Sequence, residues 1–389
     1  MSVESSGTRV FRQQKTGALR ELAGDVSFPN TRQALRQLRI EDRLSVGAQV
    51  AVSTGSSEAV LVVDGTGAPG RAMEPDMVFK LYCAGKPLLA IGAAHLVEEG
   101  MIQLDAPLSR DFREFATLGK EDLTYRQVLN HTAGLHRLFA LHMARLTVAS
   151  RHRAVVNEPL PPDWIPGVQS GYSEYSAWHA LGTAVEHITG EPLGSWLRHT
   201  VLDPIESKTM FVCIDHEELR ELQPKLGVNF DLSGPEPVPF LFDRSEQFIT
   251  EWNPSFGAYG SARDLMSMFR AMLDCLDDKA SGPVSPSVAR EFWGSGHGAI
   301  WDHTYKAPYD FALGVAFDLN TSWGCASCST TSFGQSGLAG SAFGFADPEA
   351  GIAAAVVLNG FIPSAHVFGE RRQRVVEALY TDFGIGGTS

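Results

Sequence analysis

One stretch, residues 81–97, constrains this chain most, because it places a cysteine and a lysine directly before a continuous apolar run. Apolar residues recur there at helical spacing until Glu-Glu-Gly at residues 98–100, so we predict a helix with Cys83 in its first turn. Cys83 and Lys86 are three residues apart and share one face of such a helix. The positive end of the helix dipole and the ammonium group both favour a thiolate, which makes Cys83 a candidate nucleophile. The alternative is a cysteine that packs as a small hydrophobic residue.

Composition and charge narrow the function classes. The chain has 389 residues, of which 44% are hydrophobic and 20% charged, as in an ordinary globular protein with one large core or two domains. Its formal net charge of −13 disfavours nucleic acid or an anionic membrane as the main partner, since both would repel it. A small molecule or another protein is the expected partner.

The N-terminal residues and the cysteines indicate a compartment. Residues 1–45 lack the basic and apolar regions of a signal peptide, and no later apolar run is long enough to span a bilayer, so we expect a cytoplasmic protein. The five cysteines form an odd set that fits reduced thiols better than disulfides. Cys325 and Cys328 have the spacing of half a zinc site, but no second pair completes it, so we predict a plain loop there, no metal and no organic cofactor.

The coarse secondary structure predicts an α+β fold with a sheet built from both ends of the chain. Residues 1–28 show no clear periodicity and are expected to form a flexible arm. Helical and β-branched segments in residues 29–107 and strand signals after residue 290 predict one α/β sheet domain from 29–107 and 290–389. Between them, residues 108–289 are mostly helical in pattern and predict a helix-rich domain, with the active site between the two domains.

Four segments, in order, resemble motifs of a known family. Cys-Ala-Gly-Lys at 83–86 resembles the S-x-x-K motif of class C β-lactamases, DD-peptidases and related esterases and transacylases. Residues 123–135 are similar to the family segment LLTHTSGL, residues 166–176 to its PG…YSN segment, and residues 333–340 occupy the place of its HTG or KTG strand. The resemblance covers roughly residues 30–380. It implies the β-lactamase/transpeptidase-like fold, an antiparallel sheet with flanking helices and a helix-rich domain.

The chain departs from the family motifs at three positions, and each departure has a chemical meaning. Cys83 replaces the nucleophilic serine, and a thioester intermediate would react readily with amines while resisting water comparatively well. Gln335 replaces the basic residue of the third motif, so a carboxylated β-lactam is a poor candidate substrate. Glu174 stands where the family has an asparagine and could neutralise Lys86 or hold a cationic acceptor.

The resemblance also implies roles for single residues. Cys83 would attack an acyl carbon, while Lys86 and Tyr172 together would manage its proton and later activate the acceptor. The backbone N–H groups of Cys83 and Leu338 would form the oxyanion hole. The role of Tyr172 rests on the resemblance and not on its local sequence.

Other residues are expected to bind substrate. Gln335 and Ser336, followed by Gly337, would line the strand side of the cleft, with Glu174 nearby. Trp301 belongs to a set of tryptophans expected to flank the cleft, since an apolar acyl pocket would need such side chains. The alternative for Trp301 is an ordinary core or rim residue.

We therefore predict a cysteine-dependent acyltransferase that passes an acyl group from a small-molecule thioester or ester to an amine or alcohol, in specialised metabolism. An acyl carrier protein is a further candidate donor. A hydrolase of the esterase or amidase type using the same residues is the near alternative, and a catalytically silent binding protein is the distant one. A cysteine engineered to trap an intermediate is another origin that the sequence leaves open.

Overall fold

In the computed structural model, a large antiparallel sheet organises the chain. The structure describes residues 7–13, 19–21, 28–54, 59–278, 282–362 and 364–385. Within these ranges the large sheet has eleven strands. In chain order they are β1 (Arg9–Gln13), β2 (Leu19–Glu21), β3 (Gly47–Ser53), β4 (Ala59–Ala68), β5 (Arg71–Ala72), β6 (Ile300–Asp302), β7 (Ala307–Ala312), β8 (Val315–Phe317), β9 (Phe333–Ser336), β10 (Ala342–Asp347) and β11 (Ile352–Leu358).

The order across the sheet is β6-β7-β8-β9-β10-β11-β3-β4-β1-β2, with β5 paired to β4. The central pair, β11 and β3, joins the two ends of the chain in antiparallel register, with Val356 opposite Val50. This confirms the prediction of one sheet built from both termini.

Helices cover both faces of the sheet. On one face, Val50 and Val52 of β3 pack with the terminal helices, whereas Ala51 points into the larger core on the other face. Both faces are therefore buried, which explains why β3 and β11 are almost continuously apolar. The α-helices are Pro29–Arg36, Lys86–Glu98, Tyr125–Leu129, Ala140–Met143, Val148–Val156, Ser176–Thr189, Leu193–Leu197, His216–Leu222, Glu246–Thr250, Ala262–Cys275, Pro286–Trp293, Leu319–Trp323 and Ala365–Asp382.

Most α-helices lie between β5 and β6, where helical pattern predominates in the sequence. Short strands also occur there and pair outside the large sheet: Phe79–Lys80 with Tyr259–Gly260, and Phe230–Asp231 with Val238–Pro239 and Gly360–Phe361. The division into a sheet domain and a helix-rich domain stays a prediction.

In the part of the chain that the structure describes, no helix combines the length and apolarity needed to cross a bilayer.

The flexible arm predicted for residues 1–28 is wrong for two segments. Residues 9–13 form β1, which pairs with β4, and residues 19–21 form β2 beside it. Both Val10 and Phe11 are buried, and the Arg9 guanidinium donates to the Met73 carbonyl and to Glu74, so contacts distant in sequence fix a strand too short to show a period. Residues 1–6, 14–18 and 22–27 lie outside the described residues.

Strands β7 and β8 form a hairpin within the C-terminal region that carries the strand signals. Gly314 has φ of 90°, and a Cβ atom at this position would lie 2.3 Å from the Cβ of Ala90. The chain therefore turns at a glycine pressed against the helix Lys86–Glu98. This hairpin packs the sheet against the helix that follows Cys83.

Candidate active site

Cys83 lies in a tight 3₁₀ turn, Tyr82–Gly85, that leads directly into the helix Lys86–Glu98. Tyr82, the residue before the cysteine, has φ of 52°, a left-handed conformation that is unfavourable for a bulky side chain. The Tyr82 hydroxyl donates to Asp243 at 2.6 Å, which anchors the turn from the opposite side. The helix behind it is buried on nearly every face, so the turn stands on a rigid support.

Lys86 is buried, with 1% of its surface exposed, and contacts three acceptors. Its Nζ lies 2.9 Å from Cys83 Sγ, 2.9 Å from the Glu174 carbonyl and 2.8 Å from the Ser255 carbonyl. The two carbonyls must each accept an N–H, which leaves the third position on the nitrogen for the sulfur. The geometry fits both an ammonium that donates to a thiolate and an amine that accepts from a thiol.

The Glu174 carboxylate does not neutralise Lys86, one of the two roles expected for it. Glu174 Oε2 accepts a hydrogen bond from the backbone N–H of Ala140 at 2.8 Å and so holds the start of the helix Ala140–Met143. Lys86 contacts only the backbone carbonyl of Glu174. The other expected role, holding a cationic acceptor, stays a prediction, since Glu174 also lines the cavity described below.

Tyr172 is buried beside Cys83 in an aromatic stack. Its ring lies 5.1 Å from that of Tyr305 and 5.9 Å from that of Phe311, and Lys86 Nζ lies 5.5 Å from its centre. Burial, followed by the charge of a Cys83 thiolate, raises the pKa of Tyr172 well above its usual range. The hydroxyl therefore stays protonated at neutral pH and can donate a hydrogen bond at the site.

Asp302, which sequence reasoning did not identify as a functional residue, holds in place the loop that carries Tyr172. Its fully buried carboxylate accepts from the Ser170 hydroxyl and from the backbone N–H groups of Tyr172, Thr304 and Tyr305, each at 2.8 Å. No local sequence signal distinguishes this aspartate, because its partners come from two segments about 130 residues apart. Its position fixes both stacked tyrosines.

The third motif lies at the end of β9. The Gln335 side-chain amide is 3.4 Å from the Tyr172 hydroxyl, and Ser336 Oγ accepts from the buried Arg372 at 3.2 Å. At Gly337 a Cβ atom would be only 2.4 Å from the carbonyl oxygen of Leu81. The glycine thus permits the end of β9 to press against the turn that carries Cys83, with Leu338 following it.

A cavity of about 530 Å³ opens at Cys83. Its walls are mainly apolar and include six phenylalanines, with Asp243 and Glu174 as acidic groups and the exposed Arg145 as a basic one. The lining residues are Tyr82, Cys83, Ala140, Leu141, Ala144, Arg145, Tyr172, Glu174, Phe240, Phe242, Asp243, Phe248, Phe256, Tyr305, Ser336, Gly337, Leu338, Ala339, Phe361 and Phe368.

The cavity brings together most of the predicted site residues: Cys83, Tyr172, Glu174, Ser336, Gly337 and Leu338 line it. Lys86 and Gln335 lie directly behind this surface, in contact with Cys83 and Tyr172 respectively. Their catalytic and binding roles stay predictions.

Trp301 is wrongly placed by the sequence argument. It lies on the edge strand β6 and is 54% exposed, and the described residues that line the cavity do not include it. Tyr305, in the turn between β6 and β7, lines the cavity instead. Its backbone N–H donates to Asp302, which helps the chain to turn back there. The phenylalanines that form the apolar wall come from separate segments and carry no shared motif.

The other cysteines lie outside this cavity. Cys325 and Cys328 are free and buried in a turn after the helix Leu319–Trp323, as expected for a loop. Within the described ranges, no group of three or more His, Cys, Asp or Glu side chains could hold a metal ion.

Comparisons with known proteins agree with this architecture. Esterase EstB from Burkholderia gladioli is 29% identical over 234 residues, which cover 52% of this chain and 59% of the esterase, less than two thirds of its length. A family VIII carboxylesterase superposes with a TM-score of 0.74 at 21% identity, over 91% of this chain and 97% of the other. EstCE1, a hydrolase with promiscuous acyltransferase activity, superposes with a TM-score of 0.72 at 20% identity, over 90% of this chain and 97% of that one.

The structural similarities confirm the predicted β-lactamase/transpeptidase-like fold. The model of the Beta-lactamase family matches residues 32–378, which is most of the sequence. The matched range begins before β3 and ends within the last helix, so it includes every predicted motif. On this evidence the chain belongs to the Beta-lactamase family.

Proposed function

We propose that this protein is a cysteine-dependent acyltransferase that forms an acyl-Cys83 thioester and passes the acyl group to an amine or alcohol. The observation that carries the proposal is the 2.9 Å contact between Lys86 Nζ and Cys83 Sγ, with the other Lys86 hydrogen bonds going to two neutral backbone carbonyls. Without a carboxylate partner, the lysine can exchange its remaining proton with the sulfur.

In the first half of the reaction, the Cys83 thiolate attacks the acyl carbon and the bond from that carbon to the leaving oxygen or sulfur breaks. The leaving group takes a proton from the Tyr172 hydroxyl, and the Lys86 ammonium returns one to Tyr172. The backbone N–H groups of Cys83 and Leu338, two residues that line the cavity, would hold the oxyanion.

In the second half, the acceptor attacks the thioester carbon and the C–S bond breaks. The acceptor's proton passes to the Tyr172–Lys86 pair, and the sulfur leaves as a thiolate beside the ammonium, which restores the starting state. A thioester exchanges its acyl group with amines more readily than with water. The cysteine thus favours transfer.

The cavity supports an apolar, uncharged acyl group. Phe248 and Phe256 contribute to its apolar wall, and two acidic residues, Asp243 and Glu174, would repel a carboxylate. With Gln335 in the third motif, no cation replaces the family's basic residue at that position. Fatty or aromatic acyl groups are therefore better candidates than β-lactams.

Intact-protein mass spectrometry after incubation with acyl thioesters, simple esters and β-lactams tests the proposal. We expect a mass gain with apolar thioesters and esters that Cys83→Ala abolishes and that Cys275→Ala, which removes a buried thiol elsewhere, retains. The adduct should be discharged faster by amines or alcohols than by water.

The similarity to an esterase favours ester hydrolysis as a second candidate function. If water discharges the acyl-Cys83 adduct as fast as millimolar amine or alcohol does, ester hydrolysis is established in place of acyl transfer. No adduct from any donor, in protein whose Cys83 still reacts with iodoacetamide, would refute both and favour a binding protein.

A further inference from the structure

The cavity of about 530 Å³ at Cys83 is called the acyl cavity. A second cavity, of about 350 Å³, adjoins it and is rich in basic side chains. Its lining consists of His136, Arg137, Phe139, His303, Thr304 and Lys306. We call it the basic cavity. In a chain of net charge −13, this group of basic side chains gives the cavity a local positive potential that would attract an anion.

The two longest basic side chains of the basic cavity, Arg137 and Lys306, are exposed. Among the described residues, no ion pair or side-chain hydrogen bond involves Arg137 or Lys306, and His136 Nδ1 has no hydrogen-bond partner. The rings of His136 and His303 lie 6.0 Å apart. Burial lowers the pKa of His136, the positive charges of His303, Lys306 and Arg137 lower it further, and the charge of Asp302 raises it. An anion entering the cavity would relieve this repulsion.

Nearby acidic groups are already engaged. All four contacts of the Asp302 carboxylate are donors from its own loop and from the Tyr172 loop. Glu158 Oε1 accepts from the backbone N–H of Arg137, and the side chain is buried behind the cavity wall. The guanidinium and ammonium groups are exposed, whereas these carboxylates are not.

The basic cavity and the acyl cavity share a wall. Phe139 lines the first, and the next residue, Ala140, lines the second; Thr304 and Tyr305 are divided in the same way. Thr304 Oγ1 also donates to the Tyr172 carbonyl at 2.9 Å. A substrate with its acyl carbon at Cys83 could therefore extend past Tyr305 and place an anionic group in the basic cavity.

We propose that the basic cavity binds a phosphate group on the leaving portion of the acyl donor, so that the preferred donors are thioesters of a phosphorylated thiol. The Arg137 guanidinium and the Lys306 ammonium carry two positive charges, which match a phosphate dianion better than a single carboxylate, and the imidazoles of His136 and His303 add hydrogen-bond donors for its several oxygens. This inference rests on the proposed acyl transfer, since it assigns the donor for the same site.

Two donors that differ only in the phosphate test the proposal: butyryl-pantetheine and butyryl-4′-phosphopantetheine. Acylation of Cys83 is followed by mass spectrometry at donor concentrations below saturation. We expect the phosphorylated donor to react at least about tenfold faster, because hydrogen bonds to charged groups stabilise by more than neutral ones. The double variant Arg137→Gln/Lys306→Gln should lose this preference while its rate with butyryl-pantetheine stays unchanged.

Arg220→Gln is the matched control, since Arg220 is an exposed arginine on the distant helix His216–Leu222. Equal rates with both donors in the parent protein, or a preference that survives in the double variant, would overturn the inference. If neither donor acylates Cys83, the proposed function fails, and calorimetry with 4′-phosphopantetheine decides the basic cavity separately. Binding that the double variant loses supports the cavity, and absence of binding to the parent overturns it.

Discussion

Replacing Lys86 by methionine tests the central contact of the site. Methionine keeps most of the volume but removes the nitrogen that lies 2.9 Å from Cys83 Sγ and within 2.9 Å of two carbonyls. A positioned acid or base contributes about 10² to 10⁴ in rate, so we expect acylation of Cys83 to slow by about that factor. The Glu174 and Ser255 carbonyls would each lose a charged donor, at a cost of about 1 to 3 kcal/mol per unsatisfied group.

Part of that cost is offset, because the variant no longer buries an ammonium. We therefore expect the free energy of unfolding to fall by about 2 kcal/mol, which leaves a folded protein for kinetic measurement. The assay is single-turnover acylation by an apolar thioester, followed by intact mass. Urea unfolding of the same samples measures the stability.

Lys80→Met provides a matched control. Lys80 is also buried and lies six residues before Lys86. Its ammonium sits among aromatic rings, 3.9 Å from the centre of Phe248, and donates a hydrogen bond to the Tyr259 hydroxyl. This variant should acylate within about tenfold of the parent, less than the loss expected for an acid or base. Equal acylation rates in Lys86→Met and Lys80→Met would refute a chemical role for Lys86.

Two further variants and one pH dependence probe the surroundings. Asp302→Ala leaves four donors without their acceptor, so Tyr172 should lose its fixed position and acylation should fall at least about tenfold, measured with the same assay. Gly337→Ala puts a Cβ atom 2.4 Å from the Leu81 carbonyl oxygen and should lower the unfolding free energy by about 1 to 3 kcal/mol, measured in urea. Burial lowers the pKa of Lys80 to about 8, so the unfolded state binds more protons between about pH 8 and 10.5 and stability should rise with pH in that window. Relative to Lys80→Met, the gain should reach about 3 kcal/mol, and parallel pH profiles of the two proteins would contradict it.

Local patterns predicted the elements that carry Cys83 and Lys86. The apolar run ending at Gly100 predicted the helix that is found at Lys86–Glu98, and the spacing of three residues brought Cys83 and Lys86 into contact. The β-branched runs that became β3 and β11 were also evident, because each is buried on both faces. These features depend on neighbours within about one turn or one strand.

The features that were missed depend on contacts distant in sequence. Asp302 acquires its role only when β6 brings it to the Tyr172 loop, and β1 is defined by pairing with β4 and by the contact of Arg9 with Glu74. Trp301 was predicted to flank the cleft but is exposed on an edge strand, because an aromatic residue in the sequence fits an edge strand as well as a cavity wall. The basic cavity likewise combines two loops that are far apart in the chain.

The contacts of Lys86 explain how a family scaffold can accept a cysteine at position 83. Two of its nitrogen positions donate to carbonyls in either protonation state, so only the third position changes when a proton moves between nitrogen and sulfur. A serine in this place would have to give up its proton during attack, whereas a cysteine can give it to the lysine beforehand. In the proposed reaction, the main chemical effect of the cysteine falls on the acyl intermediate, which would be a thioester instead of an ester. The choice between water and another acceptor then decides between hydrolysis and transfer.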